Sequence, residues 1–322
     1  MDLILATADG QEERILDENL DLDVGSSNDF VLYASYGTWK GDLQIGKRIY
    51  IPGTEYGGII KGIKSATNTG SISVSGLCWR GYLAKRIIQP PAGQDYYIGT
   101  GDLNAVIEQL VDIPGFVVSD ANTGVHVQYQ FNRYVNMADG LQAMCQSVGY
   151  RLDLRYVQTT TGGYVLVQAL PAGQYGDQVE YTQDSMIDFV SDDNQAGVNH
   201  LICLGKGELK NRLVKHLYAD KDGNISETQT IFGIDEIVQT FENSGAEEET
   251  LLETGRNKLK ELLNKKRFTA SVKTVEQELF LGDTVSGRDY ITGNSVTKPI
   301  TDKIVKKELN VISISYKIEG DK

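Results

Sequence analysis

Among the 322 residues, the side chains with reactive potential are three histidines, three cysteines and forty-four carboxylates. His126, His200 and His216 stand apart in the sequence, outside any HxH or HExxH spacing, so they read as strand histidines that find ordinary partners. His200 and His216 can approach each other only across neighbouring strands, and Cys203 is the one thiol near enough in sequence to join them. No CxxC pair supports a metal there, and no metal is expected. Cys78, Cys145 and Cys203 are more than fifty residues apart and odd in number, which fits reduced, buried thiols of a protein made in a cytoplasm. Cys145 falls on an apolar helical stripe near a helix end, not at the helix start that activates a thiol, and is expected in the core.

The carboxylates are too numerous to mark a site by themselves. Glycoside hydrolysis needs two at a set separation in a cleft. Glu247-Glu248-Glu249 falls at a predicted helix start, where acids suit the helix dipole. Asp220-Lys221-Asp222-Gly223-Asn224 places its glycine too early for a calcium loop and reads as a hairpin turn. Gly205-Lys206-Gly207-Glu208 follows a strand but lacks the continuation that cradles phosphate. Trp39, Trp79 and the tyrosines invite a sugar platform, yet aromatics at strand spacing usually serve core or interface. No residue is assigned to catalysis, and no cofactor is expected.

These residues must be carried by elements that are mostly strands. Thirty-four glycines, seventeen tyrosines and six prolines suit many short strands joined by tight turns. Residues 1–90 read as a first antiparallel β-barrel, with strands at 30–34, 48–51, 58–63 and 71–76. After Pro90-Pro91, Leu103, Val106, Ile107 and Leu110 form a helical stripe with Thr100 or Asp102 as cap. Met137, Leu141, Met144 and Cys145 form a second stripe, and Leu152, Leu154 and Tyr156 begin a hairpin, so 91–175 reads as an α/β domain. Residues 176–232 and 268–322 read as a second β-barrel domain, interrupted by a helical insertion over 233–267. That helix is expected to start with a Ser244–Glu247 capping box and to end on Lys265, Lys266 and Arg267. The fold class is mainly β with α/β insertions.

Charge excludes a large class of function. Forty-four acidic against thirty-one basic residues give a net charge of −13, unsuited to gripping phosphate backbones. No apolar run reaches the roughly 18 to 20 residues that span a bilayer, and the start lacks the basic segment of an export signal. Neither a membrane partner nor an anchor is expected.

The ordered stretches Gly53-Thr54-Glu55-Tyr56-Gly57-Gly58, Gly76-Leu77-Cys78-Trp79-Arg80-Gly81 and Arg86-Ile87-Ile88-Gln89-Pro90 resemble the start of hub-like tail proteins of siphophages and prophages. Asn199-His200-Leu201-Ile202, Gly205 to Leu209, His216-Leu217-Tyr218 and Gly282-Asp283-Thr284-Val285-Ser286-Gly287 resemble that family's middle and C-terminal pattern. The resemblance implies two related antiparallel β-barrels per protomer with inserted α/β domains, and a homotrimer of pseudo-sixfold symmetry. It implies a baseplate hub at the virion tail tip, joined to the tail tube or distal tail protein above and to a spike or fibre protein below. DNA would pass through such a ring without specific binding.

Tyr56, Gly57, Gly58, Trp79, Arg80 and Arg86 are the motif residues expected in the core or at the ring interface. The chain ends soon after Ile318-Glu319-Gly320, with no fibre, lysozyme-like or peptidase extension, so a structural protein without enzymatic activity is expected. Two alternatives stay open. One is a tail-associated cell-wall hydrolase or carbohydrate-binding module. The other is a spike-hub subunit of a phage-derived secretion system or tailocin.

Overall fold

The computed structural model describes residues 2–175, 180–181, 187–194, 196–263, 265–272, 278–288, 291, 295–308 and 311–321. Most of 176–186, at the start of the expected second β region, lies outside the described residues. The chain is mainly β with a few small helices, as composition and turn spacing require. It divides into two units: Met1–Phe189 with Ala270–Glu319, and Val190–Thr269 with Gly320–Lys322. That division differs from one drawn at residues 90 and 175.

In the first unit one antiparallel sheet runs in the order Val311–Asp321, Ser295–Glu308, Asn19–Val24, Asp29–Ser35, Ser71–Cys78, Gly57–Ala66, Arg48–Tyr50, Ile4–Ala6, Glu12–Ile15. This sheet curls into a half-barrel. The pairing of Lys303 with Val24 through Lys307 with Leu20 joins strands from the first and last thirty residues of the chain. Alternation drives the burial: Leu20, Leu22 and Val24 point into the core, as do Phe30 and Leu32 of the next strand.

Three helices, one before residue 90 and two after it, pack on this unit. Helix α1 (Trp79–Ala84), helix α2 (Leu103–Leu110) and helix α3 (Met137–Gln146) share one core with Ala6, Tyr50 and Trp79. Asp102 caps α2 by accepting from the Asn104 amide at 3.0 Å. Burial would raise its carboxyl, but hydrogen bonds from Thr123, Asn104 and Gly124 prevail and hold it below the usual carboxylate range. Asn136 caps α3 through the Asp139 amide at 2.9 Å. The hairpin Tyr150–Thr159 with Gly162–Pro171 forms as the alternation predicts, burying Leu152, Leu154 and Tyr156. Cys145 lies in this core, where burial pushes its thiol up to about 12.

The second unit carries a four-stranded sheet in the order Ile225–Ser226, Val214–Ala219, His200–Leu204, Val238–Glu242. Helix α4 (Glu248–Leu262) covers one face, with Leu251 and Leu259 packed on Leu201, Cys203 and Leu217. The expected capping box does not form. Ser244 lies in a turn, Ala246 is drawn into the core, and the helix begins after Glu247, which makes no side-chain cap. Lys265, Lys266 and Arg267 open a strand, Lys265–Val272, instead of ending the helix. Residues 220–224 form the expected turn, with Asp220 Oδ1 accepting from the Asp222 and Asn224 amides at 2.9 and 2.8 Å. Among the described residues no helix is long and apolar enough to cross a membrane.

Candidate functional site

The motif residues of the first unit meet around a buried set of charges. Glu55 sits in the loop before the strand Gly57–Ala66, and Arg80 is the second residue of α1. Arg80 Nη2 donates to Glu55 Oε2 at 3.1 Å and to the Leu152 carbonyl at 2.9 Å. Lys303, on the strand Ser295–Glu308, brings Nζ to 3.5 Å from Glu55 Oε1 and 3.8 Å from Glu278 Oε1. Its side chain is wholly buried and makes no hydrogen bond among the described residues. Three rings face the ammonium instead: Phe280 at 4.7 Å, Tyr56 at 4.8 Å and Tyr316 at 5.8 Å. Tyr56 donates its hydroxyl to Glu278 Oε1 at 3.0 Å, and the Leu279 amide donates to the Tyr316 hydroxyl at 3.2 Å.

A second ion pair extends the cluster. Arg151 Nη1 donates to Asp283 Oδ1 at 3.0 Å, and its guanidinium lies 4.1 Å from the Phe280 ring centre. Asp283 is fully buried and also accepts from the Gly173 and Phe280 amides at 2.7 and 2.9 Å. Burial alone would raise the Glu55 carboxyl, but Arg80 and Lys303 prevail and hold it below its usual value. Burial pushes the Lys303 ammonium below its usual value, with the Glu55 and Glu278 carboxylates opposing. Charges spent on one another in this way position chain segments: the cluster ties 55–56, 80, 151–153, 278–283 and 303 together.

Gly57 and Gly58 are required by close approach. A Cβ on Gly57 would stand 2.4 Å from the Ile49 carbonyl oxygen and 2.8 Å from Trp79 Nε1. On Gly58 it would stand 2.1 Å from the Leu77 carbonyl oxygen and 2.9 Å from the Phe30 ring. Trp79 is core, stacked on Tyr156 with ring centres 5.1 Å apart. Arg86 is exposed and outside the cluster, and its carbonyl accepts from the Met137 amide at 2.8 Å where α3 begins. A cavity of about 400 Å³ lies beside the cluster, with Arg80, Asn28, Gln142, Gln146 and Asp302 in its lining.

Lys303, Arg151 and Glu278 did not stand out in the sequence, and Glu55 and Asp283 did so only as members of the stretches that carry the resemblance. Lys303 shares strand phase with Val305 and Lys307, and all three are buried. That parity was the available signal, but lysine at two of its three positions hid it.

The other motif stretches meet in the second unit. His200 pairs with Tyr218 and Ile202 with His216, so the two histidines are diagonal neighbours on the sheet face opposite α4. His200 Nε2 lies 2.8 Å from His216 Nδ1, and His200 Nδ1 lies 2.6 Å from Glu236 Oε1. The His200 ring stacks on Tyr218 at 4.4 Å. Cys203 is excluded from this group because strand alternation turns it into the core beneath α4.

No family model matches the sequence. No curated protein matches it either. Solved structures do resemble the fold over its full length. The 43 kDa tail protein of prophage MuSo2 from Shewanella oneidensis aligns at TM-score 0.54 and 13% identity, over 99% of this chain and 98% of that one. A chain of the phage P2 baseplate in its activated conformation with Ca aligns at TM-score 0.57 and 11% identity, over 100% of this chain and 99% of that one. A chain of the p2 virion baseplate topological model, also in the activated conformation, aligns at TM-score 0.54 and 11% identity, over 100% and 99% of the two chains. The chain therefore has the fold seen in a prophage tail protein and in phage baseplate chains.

Proposed function

We propose that this protein is a structural hub subunit of a phage or prophage tail tip or baseplate. The observation that carries this reading is the end-to-end correspondence with the MuSo2 tail protein and the P2 baseplate chains, which leaves almost nothing unmatched on either side. The buried charges suit that role, since they hold distant segments of one unit in fixed register rather than presenting a reactive group. In the finer form of the proposal, three copies form a pseudo-sixfold ring. The ring joins the tail tube or distal tail protein to a spike or fibre and surrounds the path of DNA. The net charge of −13 supports a wall from which phosphates are repelled.

The test is a mass measurement in solution, alone and with the cognate tube protein, followed by imaging of the assembled particle. A species near three times 35.5 kDa is expected. A chain that stays monomeric and shows no affinity for tail components overturns the reading. Peptidoglycan zymography and a glycan screen are both expected to be blank. A cleared band would establish a hydrolase instead.

A further inference from the structure

We propose that His200 and His216 form a binding site for a divalent transition cation of the zinc, nickel or copper class, with Glu236 as the orienting group behind His200. Sequence spacing argued against a metal, but the sheet brings the two rings within hydrogen-bond distance. A carboxylate only accepts, so Glu236 Oε1 at 2.6 Å accepts a hydrogen bond from His200 Nδ1–H. The lone pair of His200 Nε2 is thereby aimed at His216 Nδ1, 2.8 Å away. A carboxylate behind one imidazole nitrogen, with the other nitrogen free to ligate, is the arrangement that fixes tautomer and raises basicity in histidine metal sites. Stacking on Tyr218 holds the His200 ring in that orientation.

In the metal-free state His216 Nδ1–H fills the position a cation would take. On binding, His216 shifts its proton to Nε2, and both facing nitrogens become ligands. Two nitrogens about 2.0 to 2.1 Å from a tetrahedral zinc stand about 3.3 Å apart with converging lone pairs, so the exposed His216 ring must swing aside by about 2 Å and turn toward the cation while His200 stays in place. His216 is exposed and His200 largely buried, so the cation enters from the His216 side. Among the described residues no three His, Cys, Asp or Glu side chains gather as a metal group. The site thus supplies two protein ligands, and water completes the shell. Imidazole nitrogen selects zinc, nickel or copper over calcium or magnesium.

The test is calorimetric titration of the full, untagged chain with zinc chloride at neutral pH. One saturable event per chain is expected. His216→Ala should abolish it, and Glu236→Gln should weaken it about 10- to 100-fold. Nitrogen-15 spectra of the unmodified chain give a second readout that needs no variant. Zinc should move the His200 Nε2 and His216 Nδ1 resonances and leave His126 unchanged. No saturable binding, undiminished binding by His216→Ala, or zinc shifts that spare His200 would each overturn the proposal. Undiminished binding by Glu236→Gln would overturn the role given to that carboxylate.

Discussion

The two units each gather cationic or basic groups and carboxylates on paired strands, yet the groupings differ in what surrounds them. In the first unit Glu55, Arg80 and Lys303 are all nine-tenths or more buried, and Lys303 lacks even a hydrogen bond among the described residues. In the second, His216 is exposed and the Glu236 side chain is about a quarter exposed. The same types of charge therefore carry different energies. A buried charge is held only by its partners, because removing one strands the other in a poor solvent. A half-solvated charge can exchange its partner for water at little cost, which is what a binding site needs. The dry cluster organises; the open pair remains available.

Glu55→Ala attacks the comparison most directly. It leaves Arg80 and Lys303 without their shared carboxylate and should cost about 3 to 5 kcal/mol in denaturant unfolding. Lys303→Met, which removes a buried ammonium while Glu55 keeps Arg80, should cost far less. Equal losses for the two would refute the view that stranded charge sets the scale. Trp79→Ala should also cost about 3 to 5 kcal/mol, because Trp79 is core against Tyr156. An unaltered melting temperature with failed assembly would mark Trp79 as interface instead.

Acid should weaken the protein next. A carboxyl held low in the folded state, as in Glu55, contributes stability that is fully present above its unfolded value of about 4.3. That contribution is lost as pH falls through the folded-state value. Lys303 has the opposite sense at alkaline pH: the cost of burying its ammonium is present below its folded-state value and is relieved as pH rises toward about 10.4. Unfolding curves across pH should show the acid arm flattened in Glu55→Gln.

The smallest effects belong to the second unit. Glu236→Gln should change stability by at most about 1 kcal/mol. Lys206, exposed and paired with Glu247 at 2.5 Å, should be replaceable by Ala with no measurable change in melting temperature. A large loss from either would remove the contrast between the units.

Much of the local structure was readable in the residues. The stripes of α2 and α3, the 150–171 hairpin and the turn at 220–224 follow from period, alternation and turn chemistry, which act over a few residues. Helix α4 falls inside the expected insertion over 233–267, but its ends were misplaced. The Ser244–Glu247 box lost to the burial of Ala246, and Lys265 to Arg267 joined a strand, because long-range packing and pairing overrode local capping preferences. Of the motif residues, Tyr56, Gly57, Gly58, Trp79 and Arg80 converge in the structure, whereas Arg86 contributes only its backbone.

The amino-acid sequence by itself determined the strand-rich class, the acidic surface and the burial of its thiols, since each depends on composition or on neighbours within one element. Only the tertiary structure decided which charges meet. Glu55 and Lys303 are 248 residues apart in the chain yet 3.5 Å apart in space, because the strand Ser295–Glu308 returns to pair with Asn19–Val24. His200 and His216 meet because strand register sets them diagonally, and that same alternation turns Cys203 away from them. Pairing partners across such separations are chosen by the total burial of the sheet, a quantity no short window of residues contains.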